Sequence, residues 1–189
     1  MGDTQRLARI ADRLDIQDNM ARYARGVDRR DWDRVRAVFH PDAQDDHGEY
    51  KGGVDGFIEW VSKRHANVAQ SMHFLGNCLI EFAGDDMALV ETYYIAMQRL
   101  DEGAGSALSL LVEGGGSSPS GAVDVDILGR YIDHFERREG AWKVARRVVA
   151  FDSIRTHPVS SGPLNPDWAL ARRDDKDPVF QMRAALGLD

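Results

Sequence analysis

The sequence changes its period at residues 71–100, SMHFLGNCLIEFAGDDMALVETYYIAMQRL. Residues 71–82 and 87–100 carry a period of two, which is typical of β-strands with alternating faces. The glycine and two aspartates at 84–86 favour a tight turn between them. This stretch therefore predicts a long β-hairpin, and the fold class depends on what surrounds it.

Helical spacing precedes the hairpin. Thr4 and Asp15 are suitable N-caps for two successive helices, and Asp31 for a short third helix that stops before Pro41. Residues 54–67 have the spacing of a further helix. The apolar positions at helical spacing are Leu7, Ile10, Ala11 and Leu14 in the first helix, and Ile16, Met20, Tyr23, Ala24 and Val27 in the second.

More strands follow the hairpin. Residues 101–121 are rich in glycine and predict mainly a loop, whereas 123–138 and 141–153 again alternate as strands. Helices followed by hairpin-connected strands are typical of an α+β fold with helices packed on a curved antiparallel sheet. We expect one domain over residues 1–155, and a proline-rich, charged tail at 156–189 that extends away or covers the domain.

The composition limits the classes of partner. The chain of 189 residues carries 31 acidic and 24 basic side chains, a net charge of −7, which disfavours binding to nucleic acids and to anionic membranes. Its single cysteine, Cys78, allows neither an internal disulfide nor a cysteine metal cluster. No signal peptide and no apolar run of about 20 residues is recognisable. We expect a cytoplasmic protein without nucleic-acid or membrane partners.

No cofactor motif is recognisable either. The glycines at 114–116 lack the lysine and hydroxyl residue of a phosphate loop, and no dinucleotide fingerprint occurs. His47 lies among carboxylates, but the spacing matches no metal motif, and the glycine and charge beside it predict an exposed hairpin. The expectation is therefore no metal and no cofactor.

The most informative polar residues are Asp28 and His73. Asp28 ends a helical run and His73 begins a strand, and a carboxylate that orients an imidazole makes a general base able to work near neutral pH. Their alternative interpretations are a helix-end aspartate and a hydrogen-bonded core histidine. A buried Asp28 would need a partner, because an unpaired carboxylate in an apolar setting is costly.

Several segments carry a family resemblance. They are YARGVDRRDW at 23–32, FHPDA at 39–43, MHFLGN at 72–77, GRY at 129–131 and FERREGAWKV at 135–144. In this order and spacing they resemble the SnoaL-like branch of the nuclear-transport-factor-2-like superfamily. Its members include dehydratases, a dehydrochlorinase, isomerases, polyketide cyclases and non-catalytic binding modules.

The resemblance covers about residues 5–155 and implies a cone. In this fold a curved mixed or antiparallel sheet, closed by N-terminal helices, surrounds a deep and mostly apolar pocket. In several eliminating members an aspartate and a histidine form the base, a tyrosine or lysine lies five residues before that aspartate, and an arginine lies on a later strand. The matching positions here are Asp28, His73, Tyr23 and Arg130.

Further pocket residues are predicted from strand alternation. Arg130 and His134 share one face by the period of two, so both border the pocket if that face is concave. An ordinary salt bridge is the alternative for Arg130. The other positions interpreted as pocket wall, with simple core as the alternative, are Met72, Tyr93, Met97 and Phe151.

The leading hypothesis for function is a cofactor-independent lyase acting on a hydrophobic, oxygenated aromatic or alicyclic small molecule. His73, oriented by Asp28, would remove a proton, and water or another small group, such as formaldehyde from a hydroxymethyl substituent, would leave. An isomerase or cyclase on the same cone is one alternative, and a non-catalytic ligand-binding or dimerisation module is another. The resemblance also implies a homo-oligomer, either a dimer or a trimer.

Overall fold

The computed structural model describes residues 2–101, 121–159, 162 and 164–188, and within these ranges the chain forms four α-helices and six strands. Residues 102–120, most of the predicted glycine-rich loop, lie outside the described residues. The helices are α1 (Asp3–Arg29), α2 (Trp32–Ala37), α3 (Val54–Arg64) and α4 (Pro178–Ala185). The strands are β1 (Phe39–Asp46), β2 (Lys51–Gly53), β3 (Val68–Phe82), β4 (Met87–Leu100), β5 (Val123–Arg138) and β6 (Ala141–Pro158), and a short 3₁₀ helix (His65–Asn67) joins α3 to β3.

The strands form one open sheet in the order β2-β1-β6-β5-β4-β3. Strand β1 runs parallel to β6, and every other neighbouring pair is antiparallel. The long hairpins β3–β4 and β5–β6 and the N-terminal helices match a curved, cone-like sheet that does not close into a barrel. The predicted α+β class is confirmed. Strand β6 continues to Pro158, past the expected domain boundary at 155.

The prediction of two N-terminal helices is wrong, because α1 runs unbroken through Asp15. No glycine or proline interrupts the helix at that point, so a residue suited to capping does not end it. The apolar residues expected to pack from its first half, Leu7, Ile10 and Leu14, are exposed. Asp12 is buried instead, and it accepts hydrogen bonds from Trp142 Nε1 at 2.9 Å and Arg137 at 3.0 Å.

The junction between α1 and α2 follows the capping rules. Arg30, just past α1, adopts a left-handed conformation with φ of 56°, which ends the helix. Asp31 then caps α2, as the sequence predicts, by accepting a hydrogen bond from Arg34 N at 3.2 Å. This reversal leaves Asp28 at the end of α1, against the sheet.

A buried ion pair lies in the centre of the core. Arg147 of β6 donates two hydrogen bonds to Asp133 of β5, at 2.7 and 2.8 Å, and both side chains are fully buried. The guanidinium carbon also lies 4.1 Å from the ring centre of Tyr23 and 4.5 Å from that of Tyr131. Cation–π contacts of this kind hold Tyr23 of α1 against the sheet, next to Tyr131 of β5.

The outer face of β3 and β4 is unusually apolar. Met72 pairs opposite Met97, and Phe74 pairs opposite Ile95, so their side chains share one face. The exposed apolar side chains on the two strands are Met72, Phe74, Leu79, Met87, Leu89, Tyr93, Ile95 and Met97. We refer to these eight residues as the outer apolar face.

None of the helices in the described part of the chain has the length and apolar character needed to cross a bilayer.

Replacing Asp133 by alanine is expected to lower the free energy of unfolding by about 3–5 kcal/mol, because Arg147 would remain as an uncompensated buried charge. Urea denaturation measures the change. Glu91→Ala is the matched control, since it breaks the partly exposed pair with Arg130 and should cost less than about 1 kcal/mol. Similar losses in the two variants would contradict the central role of the buried pair.

Candidate active site

The structure brings Asp28 and His73 together. His73 Nδ1 lies 2.7 Å from Asp28 Oδ1, and the backbone N–H of His73 donates to Oδ2 at 2.8 Å. Ser71, two residues earlier on β3, donates its hydroxyl to Oδ1 at 2.7 Å. Both side chains of the pair are buried. The carboxylate is therefore fully hydrogen-bonded, and it fixes the orientation of the imidazole.

The protonation state of the pair follows from these contacts. Burial by itself raises the pKa of Asp28, but hydrogen bonds from His73 and Ser71, together with attraction to His73, outweigh it and lower the pKa below its usual value. An ionised carboxylate only accepts hydrogen bonds, so Nδ1 of His73 carries a proton. In the neutral imidazole Nε2 is then the free base.

A residue of the tail holds the backbone beneath the pair. Arg173 donates hydrogen bonds to three carbonyl oxygens: Asp28 at 2.9 Å, Val27 at 3.1 Å and Val68 at 2.5 Å. Carbonyls at a helix C-terminus lack intrahelical partners, and a cation there also complements the helix dipole. The tail thus supports the end of α1, and no described residue beyond Ile154 lines the cavity that we describe next.

The pair faces a cavity of about 350 Å³ enclosed by α1, α3, the β1–β2 hairpin and the inner face of the sheet. Its apolar lining consists of Val27, Gly48, Trp60, Val61, Ala96, Ile127, Phe151 and Ile154. Its polar lining consists of Tyr23, His47, Glu49, Arg64, His65, His73, Tyr94, Gln98 and Tyr131. Most of the lining surface is nonetheless apolar, and a cavity of this size with polar groups set in apolar walls is typical of a small-molecule site.

Three tyrosines form one wall of the cavity. The rings of Tyr94 and Tyr131 stack with centres 4.3 Å apart, and Tyr23 meets Tyr131 edge to face at 5.5 Å. Burial raises the pKa of Tyr23 above its usual value, with Arg147 acting in the opposite direction. All three phenols therefore stay protonated near neutral pH and can serve as hydrogen-bond donors. Tyr23 is placed where the resemblance implies.

Arg130 is not in the cavity, contrary to expectation. Its guanidinium donates to Glu91 at 2.7 Å and lies 3.6 Å from Asp152, on the outer face of the sheet. The inward residue of this part of β5 is its neighbour Tyr131. The buried positions of β5 are the odd-numbered ones, and their more apolar character is the signal that predicts this orientation.

Four of the five predicted wall residues also face outward. Met72, Tyr93 and Met97 belong to the outer apolar face, and His134 pairs opposite Leu89 on the same side. Phe151 does line the cavity. A register shift between Leu128 and Gly129, opposite residues 151–153 of β6, breaks the alternation there.

The structure contains a second aspartate–histidine pair, which the sequence does not predict. His47, expected in an exposed hairpin, lines the cavity, and its Nδ1 lies 2.9 Å from Oδ1 of the buried Asp45. The imidazole stacks on Phe57 with ring centres 5.0 Å apart and also contacts Trp60 at 5.7 Å. Two imidazoles, each bound to a carboxylate through Nδ1, therefore border one apolar space. In the part of the chain that the structure describes, no cluster of side chains is suited to hold a metal ion.

A family model for the SnoaL-like domain matches residues 8–148, so the chain belongs to the SnoaL-like family. Curated relatives are 36% identical over 83 residues, which is 42% of this chain, and include uncharacterized proteins of Mycobacterium tuberculosis and Mycobacterium bovis. The match spans about half, 56%, of the length of these relatives.

Similar solved structures share the fold. A hexachlorocyclohexane dehydrochlorinase of type 3 from Novosphingobium barchaimii has a TM-score of 0.66 at 22% identity, covering 85% of this chain and 99% of that one. A proposed scytalone dehydratase from Novosphingobium aromaticivorans has a TM-score of 0.64 at 18% identity, covering 85% and 98%. A proposed aromatic ring hydroxylase from the same organism is 29% identical, with a TM-score of 0.62, covering 78% and 94%.

Removing the Ser71 hydroxyl is expected to raise the pKa of Asp28 towards its ordinary value, which carbon-detected NMR titration measures. Because the folded-state pKa is depressed, this carboxylate stabilises the fold fully above the unfolded pKa of about 3.9, and the contribution is lost as pH falls through the folded value. Ser71→Ala should therefore cost about 1 kcal/mol near neutral pH and less in acid.

Ser62→Ala is the control, because that hydroxyl donates to a carbonyl on the solvent side of α3. An unchanged Asp28 pKa in Ser71→Ala, or a stability loss independent of pH, would show that the serine does not hold the carboxylate.

Proposed function

We propose that the protein is a lyase that removes a proton and a small leaving group from a hydrophobic, oxygenated aromatic or alicyclic molecule. One observation carries the proposal: the hydrogen-bonded pair of Asp28 and His73 faces an apolar cavity of about 350 Å³. In such a cavity a histidine held by a carboxylate is suited to act as a general base.

His73 would act as the base. With Nδ1–H donated to Asp28, Nε2 takes the proton from a carbon or a phenolic hydroxyl of the substrate. Asp28 stays ionised and stabilises the imidazolium that forms. General base catalysis of this kind contributes about 10²–10⁴-fold to the rate.

His47 would act as the acid in its protonated form, as an imidazolium that donates Nδ1–H to Asp45 and passes its Nε2 proton to the leaving oxygen. Hydroxide is a poor leaving group, so a dehydration needs a proton donor as well as a base. Asp45 holds the imidazole of His47 as Asp28 holds that of His73, which supports a second site of proton transfer in the same cavity. Tyr23 would donate a hydrogen bond to the oxygen on which charge develops. Arg130 has no part in this scheme, since it lies on the outer face.

The relatives support an elimination. The dehydrochlorinase and the proposed dehydratase that share this fold are named for the loss of hydrogen chloride and of water, respectively. Loss of formaldehyde from a hydroxymethyl group would use the same base and the same developing charge. An isomerase would return the proton to another carbon, and its product would retain the hydroxyl or other group that a lyase expels. A binding module would have no use for two oriented imidazoles.

A panel of hydroxylated and matched chlorinated alicyclic and aromatic compounds tests these roles. His73→Gln is expected to lower kcat by about 10²–10⁴-fold on both sets, because both need the base. His47→Gln is expected to lower kcat strongly on the hydroxylated compounds and far less on the chlorinated ones, because chloride leaves without a proton. Product analysis and steady-state rates provide the measurement.

His157→Gln is the matched control, since this histidine is exposed on β6. Turnover that survives His73→Gln would remove the base from the scheme, and an equal loss on both leaving groups in His47→Gln would remove the acid. A product that retains the hydroxyl group would identify an isomerase.

We also propose that the outer apolar face is covered by a second copy of the chain. Exposed apolar patches on a soluble protein usually mark an interaction surface, and this one extends over two long strands. The members of the family that pair through the exposed sheet face support a homo-oligomer, either a dimer or a trimer.

Analytical ultracentrifugation is expected to give the mass of a dimer or trimer for the wild type and that of a monomer for Phe74→Glu, which places a charge in the outer apolar face. Met182→Glu, an exposed position on α4, should leave the mass unchanged. A monomeric wild type at tens of micromolar concentration would refute the assembly.

A further inference from the structure

The lining of the cavity includes a guanidinium that forms no ion pair with a described carboxylate. Arg64, the last residue of α3, lines the cavity. Its described partners are His65 Nε2 and Gln98 Oε1, each 3.3 Å away. Glu49 borders the same cavity and attracts Arg64 electrostatically, but neither it nor any other described acidic residue lies within ion-pair distance of the guanidinium. A guanidinium is always charged, so among the described residues this positive charge has no carboxylate bound directly to it.

The contact with His65 cannot satisfy Arg64. Arg173 Nη2 lies 2.7 Å from His65 Nδ1, and since a guanidinium only donates, Nδ1 must be the acceptor. Burial, followed by the charges of Arg64 and Arg173, lowers the pKa of His65 well below its ordinary value, so the ring is neutral. A neutral imidazole has one acceptor nitrogen, and its Nε2 therefore carries the proton.

In this tautomer two hydrogen-bond donors, Nε2–H of His65 and Nη1 of Arg64, face each other. The Nε2–H of His65 cannot accept from Nη1 of Arg64, so that Nη1 group has no acceptor on the imidazole. Nη2 of Arg64 keeps only the side-chain oxygen of the buried Gln98. With its oxygen engaged, the amide nitrogen of Gln98 adds another donor at the same end of the cavity. The arrangement presents a positive charge and several N–H groups to whatever occupies the cavity.

The chemistry of this end selects a ligand. A planar guanidinium fork binds a carboxylate with two parallel hydrogen bonds, and one guanidinium with one amide balances a single negative charge. The remaining walls are mostly apolar and aromatic, so the rest of the ligand must be hydrophobic. We propose that Arg64 and Gln98 form a carboxylate-binding subsite and that the ligand of the cavity is a hydrophobic carboxylic acid.

That this acid is the substrate rests on the proposed function. The subsite itself can be tested without turnover. Titration calorimetry with 2-naphthoate and its neutral analogue 2-naphthamide compares a charged and an uncharged group on one apolar frame. The wild type should bind the acid about 10–100-fold more tightly than the amide, which is the range of charge-assisted hydrogen bonds.

Arg64→Gln should abolish this preference, and Arg64→Lys, which keeps the charge but not the fork, should keep part of it. Arg64→Gln should also melt no lower than the wild type, because it removes an unpaired charge from a partly buried position. Arg130→Gln is the matched control, since its guanidinium lies outside the cavity, and it should bind as the wild type does.

The outcomes separate the two proposals. His73→Asn should keep the preference for the acid, because the base is not part of the subsite. A preference in the wild type with no turnover of any compound would keep the subsite and refute the lyase. Equal affinity for acid and amide, absence of binding by both, or a full preference in Arg64→Gln would overturn the subsite.

Discussion

The site depends on the hydrogen bonds of the Asp28 carboxylate. It receives three hydrogen bonds from β3, two from His73 and one from Ser71, and it stands at the end of the long helix α1. The same group therefore fastens the helix to the edge of the sheet and orients the imidazole. Because burial opposes ionisation of a carboxylate, the three donors are what keep it charged. A catalytic assignment and a structural one are not alternatives here, since one set of contacts serves both.

The cavity is mostly apolar, and most of the charged and ionisable groups around it are paired with each other through hydrogen bonds. Two imidazoles are held by carboxylates, and the guanidinium of Arg147 is held by Asp133 beneath the tyrosine wall. Burying a charge without a partner is costly, so an exception is informative. Among the described groups that line the cavity, the partly buried Arg64 is such an exception, because no carboxylate forms an ion pair with it. Proteins tend to keep unfavourable arrangements where function requires them, which is why we propose a ligand at this position.

The sequence predicts most of the fold because local rules and the sheet agree. Strand alternation and turn residues locate β3 to β6, and Asp31 caps α2 as its type suggests. The predicted division of α1 at Asp15 is wrong, because a residue suited to capping does not end a helix when the residues on both sides of it can remain helical. The prediction that Arg130 faces the cavity is wrong, although the apolar residues at odd-numbered positions of β5 indicate that the even-numbered positions face outward.

Other parts of the site leave little trace in the sequence. Both faces of β4 carry apolar residues: the inner face lines the cavity and the outer face is exposed. Alternation between apolar and polar residues therefore cannot show which face Tyr93 and Met97 belong to. His47 is recognisable only once the hairpin folds back onto Phe57 and Trp60. Arg173 reaches Asp28 across 145 positions of the chain, a distance at which no spacing rule operates.

The central claim is that Asp28 leaves Nε2 of His73 as a free base facing the cavity. Nitrogen NMR of the imidazole in protein labelled at histidine distinguishes the two ring tautomers directly. In the neutral imidazole we expect the proton on Nδ1 and none on Nε2, with the Nε2 resonance shifting when a ligand fills the cavity. A neutral imidazole with its proton on Nε2, or an Nε2 resonance unchanged by a bound ligand, would contradict this claim.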